Sequence, residues 1–312
     1  MKLFKTTIIL ASLLSYFPAF CQNFSNEFGF RSDNDAYLAI AQDQYYTNGL
    51  FITFRHALRQ DSLHSKKIYE LEAGQYMYNS NSGQTNRIEE VDRPFAAYLY
   101  GGFKMNWLSK KETYFQASLQ VGTIGPNAKG KEVQETLHKT IGFYTINGWQ
   151  FQVNNEIGIN GAFNYAKLLG RKNKDDLTFC SSVNIGNTFS GAGVGLLYRT
   201  GKTNPLYNST SYNSRISNSR LDTISKAESF FFAKPTLNFV AYNATIQGGM
   251  FRTDRGPVTH QPNRVLFTQE LGYMYAKKRW ALSFSLIFQS KDLKQQVENH
   301  QYGSASIFYC FD

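Results

Sequence analysis

Two polar clusters near the start of the chain carry the kinds of oxygen atom that bind a hard cation. Carboxylate, amide, hydroxyl and backbone carbonyl oxygens come from the two ends of one loop, and calcium prefers such ligands. The spacing is not that of an EF-hand, and a strand cap followed by an Asn-Gly turn would use the same residue types. Both interpretations stay open. The residues are Asn34, Asp35, Asp43, Thr47, Asn48 and Gly49.

A third polar group is the sequence Asp92-Arg93-Pro94, which leads into an aromatic strand-like segment. An arginine held at the end of a strand can bind a phosphate or a carboxylate in bidentate fashion. Arg93 is therefore a candidate for substrate binding. The alternative is an Asp–Arg pair that fixes a loop.

The segment 132–143 contains the histidine best placed for catalysis. Val133, Leu137 and Ile141 recur every four residues, which predicts a short amphipathic helix. His138 lies at the edge of that apolar face, so a helix packed on a wall of strands would hold the imidazole at the seam. Imidazole suits general-base work near neutral pH, although a lone histidine is often incidental.

The sequence disfavours an acyl-enzyme mechanism. No Gly-x-Ser-x-Gly motif occurs, and no serine stands near His138 in a hydrolase pattern. A water molecule activated by histidine, with a metal-polarised carbonyl group, needs no nucleophilic side chain and fits these residues better.

Alternating hydrophobicity identifies the elements that must position these residues. In 280–289, for example, Trp280, Leu282 and Phe284 point to one face while the intervening residues point to the other. Such alternation is typical of barrel strands that face lipid and lumen in turn. Twelve strands are predicted near 24–33, 47–59, 67–79, 94–108, 112–125, 153–168, 175–187, 189–200, 229–242, 264–277, 279–291 and 300–311.

The N-terminus and the composition agree with a membrane barrel. Residues 1–21 have the pattern of a secretory signal peptide, which leaves 22–312 as a single barrel domain. A lipoprotein cysteine at Cys21 is the weaker interpretation. The mature sequence has no long apolar run, is rich in Tyr and Phe, and is 18% charged, against roughly 25% in soluble domains. A secreted β-sandwich is the alternative fold.

Charge and cysteine content narrow the class further. The net charge of +10 suits a protein beside anionic lipid headgroups, and export excludes nucleic acid as a natural partner. Cys180 and Cys310 are too few for a disulfide framework, so free thiols are expected.

Strand parity places the motifs together. If the first strand runs outward, the odd-to-even connections face the cell exterior, and all the polar motifs meet at one rim. The connection 201–228 fits less well, because it is polar and long for a periplasmic turn. The predicted exterior connections are 34–46, 80–93, 126–152, 188, 243–263 and 292–299.

Four ordered motifs together resemble those of the outer-membrane lipid A 3′-O-deacylases. They are NDAYLAIAQDQYYTNG, DRPFAAYLY, GPNAKGKEVQETLHKTIG and GWQFQVNNE, and they cover about residues 30–160. The resemblance implies a twelve-stranded barrel in the outer membrane of a Gram-negative bacterium, with its active site facing the exterior between the barrel wall and a loop helix. It implies calcium-dependent hydrolysis of the 3′-linked acyloxyacyl ester of lipid A by a monomer among outer-membrane lipids.

Carried over by position, the family's catalytic residues fall on Asn34, Asp35, Thr47 and His138. Calcium would be held by Asp35, Thr47 and Gly49, and Arg93 would contact a lipid A phosphate. Asp33 stands where the family usually has Glu, and FAAY replaces a more usual Tyr-Ala-Gly-Trp; both changes could alter substrate fit. A non-enzymatic channel or binding barrel and an outer-membrane phospholipase are the alternatives.

Overall fold

The fold is a closed antiparallel barrel of twelve strands, as the sequence predicted. The computed structural model describes residues 24–38, 44–59, 64–219 and 225–312, so the predicted signal peptide lies outside the described residues. Each strand pairs with its neighbour in sequence, and β1 pairs with β12 to close the barrel. The strands are β1 Asn26–Asn34, β2 Tyr45–Ala57, β3 Ser65–Asn79, β4 Ala96–Ser109, β5 Thr113–Ile124, β6 Glu156–Lys172, β7 Asp175–Gly186, β8 Phe189–Lys202, β9 Glu228–Asn243, β10 Val265–Lys277, β11 Trp280–Gln289 and β12 His300–Phe311.

The two faces of the wall differ in polarity. Outward residues such as Phe28, Ile52 and Leu71 are large, apolar and exposed. Inward residues form ion pairs, for example Arg55 Nη1 with Glu27 Oε1 at 2.6 Å. An apolar exterior around a polar interior is the pattern of a membrane barrel and the reverse of a soluble sandwich. No helix in the described part of the chain is long and apolar enough to cross a membrane.

One end of the barrel carries both ends of the described chain, since Asn26 pairs with Phe311 there. We call it the terminal end, and the opposite end, which holds the odd-to-even connections, the loop end. Two helices belong to the loop end. They are α1, Gly130–Ile141, and α2, Ala244–Gln247.

The long β8–β9 connection folds into the terminal end as a plug. We use this name for residues 203–219, the main described part of the connection. The ammonium group of Lys66, which points into the barrel and is fully buried, donates to Tyr207 O, Asn208 Oδ1 and Ser214 O at 2.7–3.0 Å. The length that is unusual for a turn is thus explained by the interior contacts that the connection makes.

The loop end contains partly buried polar contacts that involve the β3–β4 connection. Asp92 accepts hydrogen bonds from Tyr45 Oη at 2.9 Å and from Ser80 Oγ at 2.6 Å. Between the two ends, a cavity of about 540 Å³ is lined by polar side chains that include Arg31, Lys234 and Glu270.

Candidate active site

The site is built on the outer face of the wall. Strand pairing aligns Asn34 with Asn48, Asn48 with Met77, and Met77 with Ala97, which forms one row across β1–β4. Within each strand these residues alternate in step with exposed apolar residues, namely Phe30, Ile52, Leu71 and Leu99, so the row faces outward. Pairing therefore brings both polar clusters of the sequence to the same face, at the loop end of the barrel.

A β-bulge shapes the site. The β2–β3 register shifts between Tyr46 and Asn48, so Thr47 is the extra residue in the ladder and is only 1% exposed. A bulge bends its strand and redirects local backbone and side-chain groups, which is why bulges are frequent beside active sites. The sequence motif Tyr-Thr-Asn-Gly is thus more than a turn: it lies within β2.

The other cluster is fixed by short-range hydrogen bonds. Asn34 Oδ1 accepts from Ala36 N at 2.7 Å, which starts the single 3-10 turn that follows β1. Asp35 is 2% exposed, and its Oδ2 accepts from Gln44 N at 3.0 Å across the loop. The carboxylate is therefore held close to the start of β2. Asp43 lies outside the described residues.

Gly49 has a steric reason to be glycine. A Cβ atom there would overlap Tyr46 Oη, which donates to Asp33 Oδ2 at 2.8 Å. Asp33 pairs with Gly49 and faces the lumen, where Ser304 Oγ donates to its other oxygen at 2.7 Å. Gly49 can therefore contribute only backbone atoms to the site.

Helix α1 packs on the outer face of the row. A Cβ atom on Gly130 would lie 2.5 Å from Ala97 Cβ and 2.5 Å from a ring carbon of Trp149, so the helix approaches the wall closely at its first residue. The buried ridge of α1 is Gly130, Gln134 and His138, spaced four residues apart. The helix was predicted at 132–143 and spans Gly130–Ile141.

The buried face of this helix is wider than the apolar face that the sequence predicted, although Val133 does pack against the apolar cluster on the wall. Val133 and Leu137 are only partly buried, and the most buried ridge is the polar one that ends at His138. The glycine at the helix start lets the polar ridge approach the wall closely, next to Val133. His138 is 6% exposed, so its side chain is buried on this face of the helix.

The tautomer of His138 follows from its partner. Its Nδ1 lies 2.9 Å from the carbonyl oxygen of Tyr144. A carbonyl oxygen only accepts, so Nδ1 carries the hydrogen and donates it. The lone pair of the neutral ring is then on Nε2, which is the arrangement that a general base requires.

Arg93 does not lie on this face. Its side chain is completely buried, with Nη2 donating to Thr245 Oγ1 at 2.9 Å and Nε 3.5 Å from Asp292 Oδ2. Its guanidinium also stacks 4.3 Å from the ring centre of Tyr78, which points into the lumen. The predicted contact with a lipid phosphate is therefore not supported, and the alternative, an arginine that fixes loops, describes its contacts.

Burial also changes the pKa of the partner of Arg93. Asp292 lies in the β11–β12 connection, where removal from water raises the pKa of its carboxyl group, against the opposing effect of the Arg93 charge. The ion pair of Arg93 with Asp292 therefore links segments of the loop end, at the cost of removing the Asp292 carboxylate from water.

The oxygen donors near the bulge are of the chemical types that calcium binds. Asp35 supplies a carboxylate, Thr47 a hydroxyl, and residues 47–49 backbone carbonyl groups, all hard oxygen ligands. Asn48 Oδ1 is buried and has no hydrogen-bond partner among the described residues, and an amide oxygen of this kind is a suitable calcium ligand. In the described ranges, no group of three or more His, Cys, Asp or Glu side chains is placed to hold a metal ion.

Sequence reasoning overlooked Gln134. Its Oε1 accepts from the indole Nε1 of Trp149 at 3.0 Å, and the residue is 1% exposed. The usable signal was its position four residues before His138, which places both on one side of a helix.

Comparison with known proteins agrees with the architecture. A family model described as outer membrane protein LpxR matches residues 7–311. Among solved structures, LpxR from Salmonella typhimurium is similar with a TM-score of 0.73 and 21% identity, over 91% of this chain and 100% of that one. The β domain of the Bordetella autotransporter BrkA has a TM-score of 0.50 and 10% identity, over 93% of this chain and 100% of that one. A search of curated protein sequences gave no significant match.

Proposed function

Because the chain belongs to the LpxR family of outer membrane proteins, we propose that it is a lipid A 3′-O-deacylase. It would hydrolyse the 3′-linked acyloxyacyl ester of lipid A at the outer leaflet. The position of the polar row supports this proposal, since the row lies on the wall face that lipid contacts rather than in the lumen.

The observation that carries the proposal is the hydrogen bond from His138 Nδ1 to Tyr144 O. With that proton fixed, Nε2 takes a proton from a water molecule, and the water oxygen bonds to the ester carbonyl carbon. The bond from this carbon to the 3′ oxygen of the sugar then breaks. The imidazolium returns its proton to that oxygen, so the products are a free acid and a sugar hydroxyl.

Asp35, Thr47 and Gly49 would hold a calcium ion for this reaction. When bound, calcium would supply positive charge that polarises the ester carbonyl group. The Asn34 side chain starts the turn that carries Asp35, and the bulge at Thr47 would turn the other donors toward the ion. The roles of Asn34 and Thr47 are thus to position and complete the donor set.

A non-enzymatic channel is the less favoured function. The plug fills the terminal end through its bonds to Lys66, and Arg93 ties connections together at the loop end. The lumen therefore offers poor passage, whereas the outer face carries a histidine with a defined tautomer.

The test is mass spectrometry of lipid A treated with the purified barrel in detergent. We expect loss of the 3′ acyloxyacyl group with calcium present, and no loss after chelation or in His138→Ala. An unchanged acyl pattern with folded wild-type protein would refute the deacylase assignment. Release of fatty acid from glycerophospholipids instead would identify a phospholipase.

A further inference from the structure

Exposed positive charge is distributed unevenly between the two ends of the barrel. At the terminal end, the β4–β5, β6–β7 and β10–β11 connections each carry two exposed lysines, at the turn or at the strand end beside it. We call these six residues the lysine collar. The hydrolysis proposed for the outer face of β1–β4 makes no use of them. The collar consists of Lys110, Lys111, Lys172, Lys174, Lys277 and Lys278.

The acidic residues beside the collar have other partners. Glu112 accepts hydrogen bonds from Arg171 Nη1 and from Leu206 N, both at 2.7 Å. Asp175 accepts from Tyr198 Oη at 2.8 Å. No collar lysine forms an ion pair with any residue in the described ranges. The positive charge of the collar is therefore not neutralised by contacts within the chain.

The loop end differs, because acidic residues accompany its exposed cations. On helix α1 and at its start, Lys129 Nζ lies 3.1 Å from Glu132 Oε1, and Lys131 Nζ lies 3.8 Å from Glu135 Oε1. In the described part of the chain, the excess of exposed positive charge is thus found at the terminal end. A surface of this kind attracts anionic partners.

Aromatic side chains indicate the depth of the collar in the membrane. Trp107 and Phe115 pair across β4 and β5 near their shared turn, with ring centres 5.4 Å apart. Trp280 pairs with Lys277 across the β10–β11 turn, and its ring centre lies 4.7 Å from that of Tyr309. Outward-facing aromatic residues form girdles at the membrane–water interfaces of barrels. Lysines beside this girdle therefore lie at the level of lipid headgroups.

We infer that the lysine collar binds the anionic headgroups of phospholipids in the leaflet at the terminal end. Both ends of the described chain and three tight turns lie there, which is the periplasmic arrangement in bacterial barrels, so this leaflet is the inner one of the outer membrane. Phosphate groups supply the negative charge that the collar lacks, and the lysine stems can lie along the aromatic girdle. The inference does not depend on the proposed deacylation.

The test is native mass spectrometry of lipid binding to the purified barrel in detergent. The probes are dioleoylphosphatidylglycerol, which is anionic, and dioleoylphosphatidylcholine, which has the same acyl chains and no net charge. Dissociation constants are measured at roughly 0.05 M and 0.3 M salt, because salt screens contacts between exposed charges. The folded state is checked by the heat-dependent mobility shift of barrels on gels.

Two variants remove different parts of the collar, so that a folding failure in one leaves the other as the test. One combines Lys110→Gln, Lys111→Gln, Lys277→Gln and Lys278→Gln, and the other combines Lys172→Gln with Lys174→Gln. The matched control removes the same number of exposed lysines at the loop end as the first variant does. It combines Lys129→Gln, Lys131→Gln, Lys139→Gln and Lys294→Gln.

We expect the wild type to bind phosphatidylglycerol about tenfold more tightly than phosphatidylcholine, with a smaller preference at the higher salt concentration. The dissociation constant for phosphatidylglycerol should rise about tenfold in the four-lysine collar variant and about threefold in the double variant. The control should match the wild type.

Three results would overturn the inference. They are wild-type affinity for phosphatidylglycerol in the folded collar variants, loss of that affinity in the loop-end control, and no preference of the wild type for phosphatidylglycerol. In the last case, sedimentation of the wild type with purified peptidoglycan would identify the cell wall as the anionic partner instead.

Discussion

The close contact between Gly130 and the wall makes the position of His138 sensitive to one methyl group. In Gly130→Ala the new Cβ would lie 2.5 Å from Ala97 Cβ and from Trp149, whereas ordinary contacts are 3.4–4 Å. Neither neighbour can yield easily, because Ala97 Cβ is fixed to a strand and the Trp149 ring is packed against Phe95. Helix α1 must therefore move outward by about 1 Å.

That movement is carried to His138 because both residues lie on one ridge of a rigid helix. A displacement of about 1 Å in catalytic geometry can cost about 100-fold in rate. We expect Gly130→Ala to lower kcat for lipid A deacylation by 10- to 100-fold, roughly 1.4–2.7 kcal/mol in barrier. The barrel itself should unfold at the same temperature as the wild type, since no contact between strands is changed.

The control is Gly101→Ala in the same strand as Ala97. A Cβ atom at Gly101 would meet nothing within 4 Å, so this variant should deacylate lipid A at the wild-type rate. Activities are compared by mass spectrometry of the reaction products at saturating substrate. Wild-type kcat in folded Gly130→Ala would show that helix packing does not set the position of the base.

Three further outcomes are expected. Asp35→Asn should weaken the apparent affinity for calcium in deacylation assays by tenfold or more, because it removes the one carboxylate of the proposed ligand set; calcium titrations that overlay those of the wild type would contradict this. Lys66→Met should lower the free energy of unfolding by about 3 kcal/mol in denaturant titrations, since three acceptors lose a charged donor, whereas Lys67→Met, at an exposed position, should change it little. Because the pKa of Asp292 is raised in the folded protein, the protonated carboxyl group stabilises the fold at pH values below the ordinary carboxyl range, and this contribution is lost as pH rises through the raised pKa. The unfolding midpoint of Asp292→Asn should therefore lack that decline with pH. Identical pH profiles for the variant and the wild type would contradict this contribution of Asp292.

The barrel was predictable from sequence because its signal is local. Alternation in each strand fixes which residues face lipid, and every predicted strand corresponds to an observed one. The largest difference in a boundary is at the end of β6, predicted at 168 and observed at Lys172. A bulge between Leu168 and Gly170 interrupts the regular pairing there, which explains the early predicted end.

The site was only partly predictable, because several of its contacts join distant segments. Strand parity correctly brought Asn34 near Thr47 and Asn48. It could not show that Arg93 meets Asp292, about 200 residues later, inside the loop end. Nor could hydrophobic periodicity find the buried polar ridge of Gln134 and His138, because the close contact of Gly130 with Ala97 joins two separate segments of the chain.

Because the plug occupies the lumen, the inside and the outside of the barrel can serve different purposes. The interior of the barrel is occupied by residues 203–219 at the terminal end and crossed by contacts of Arg93 at the loop end, which should restrict passage through it. The chemistry that we propose takes place on the outside surface and needs no opening. A cell could therefore carry many copies of this protein without admitting small toxic solutes, and its abundance would be limited by the demand for lipid remodelling rather than by leakage.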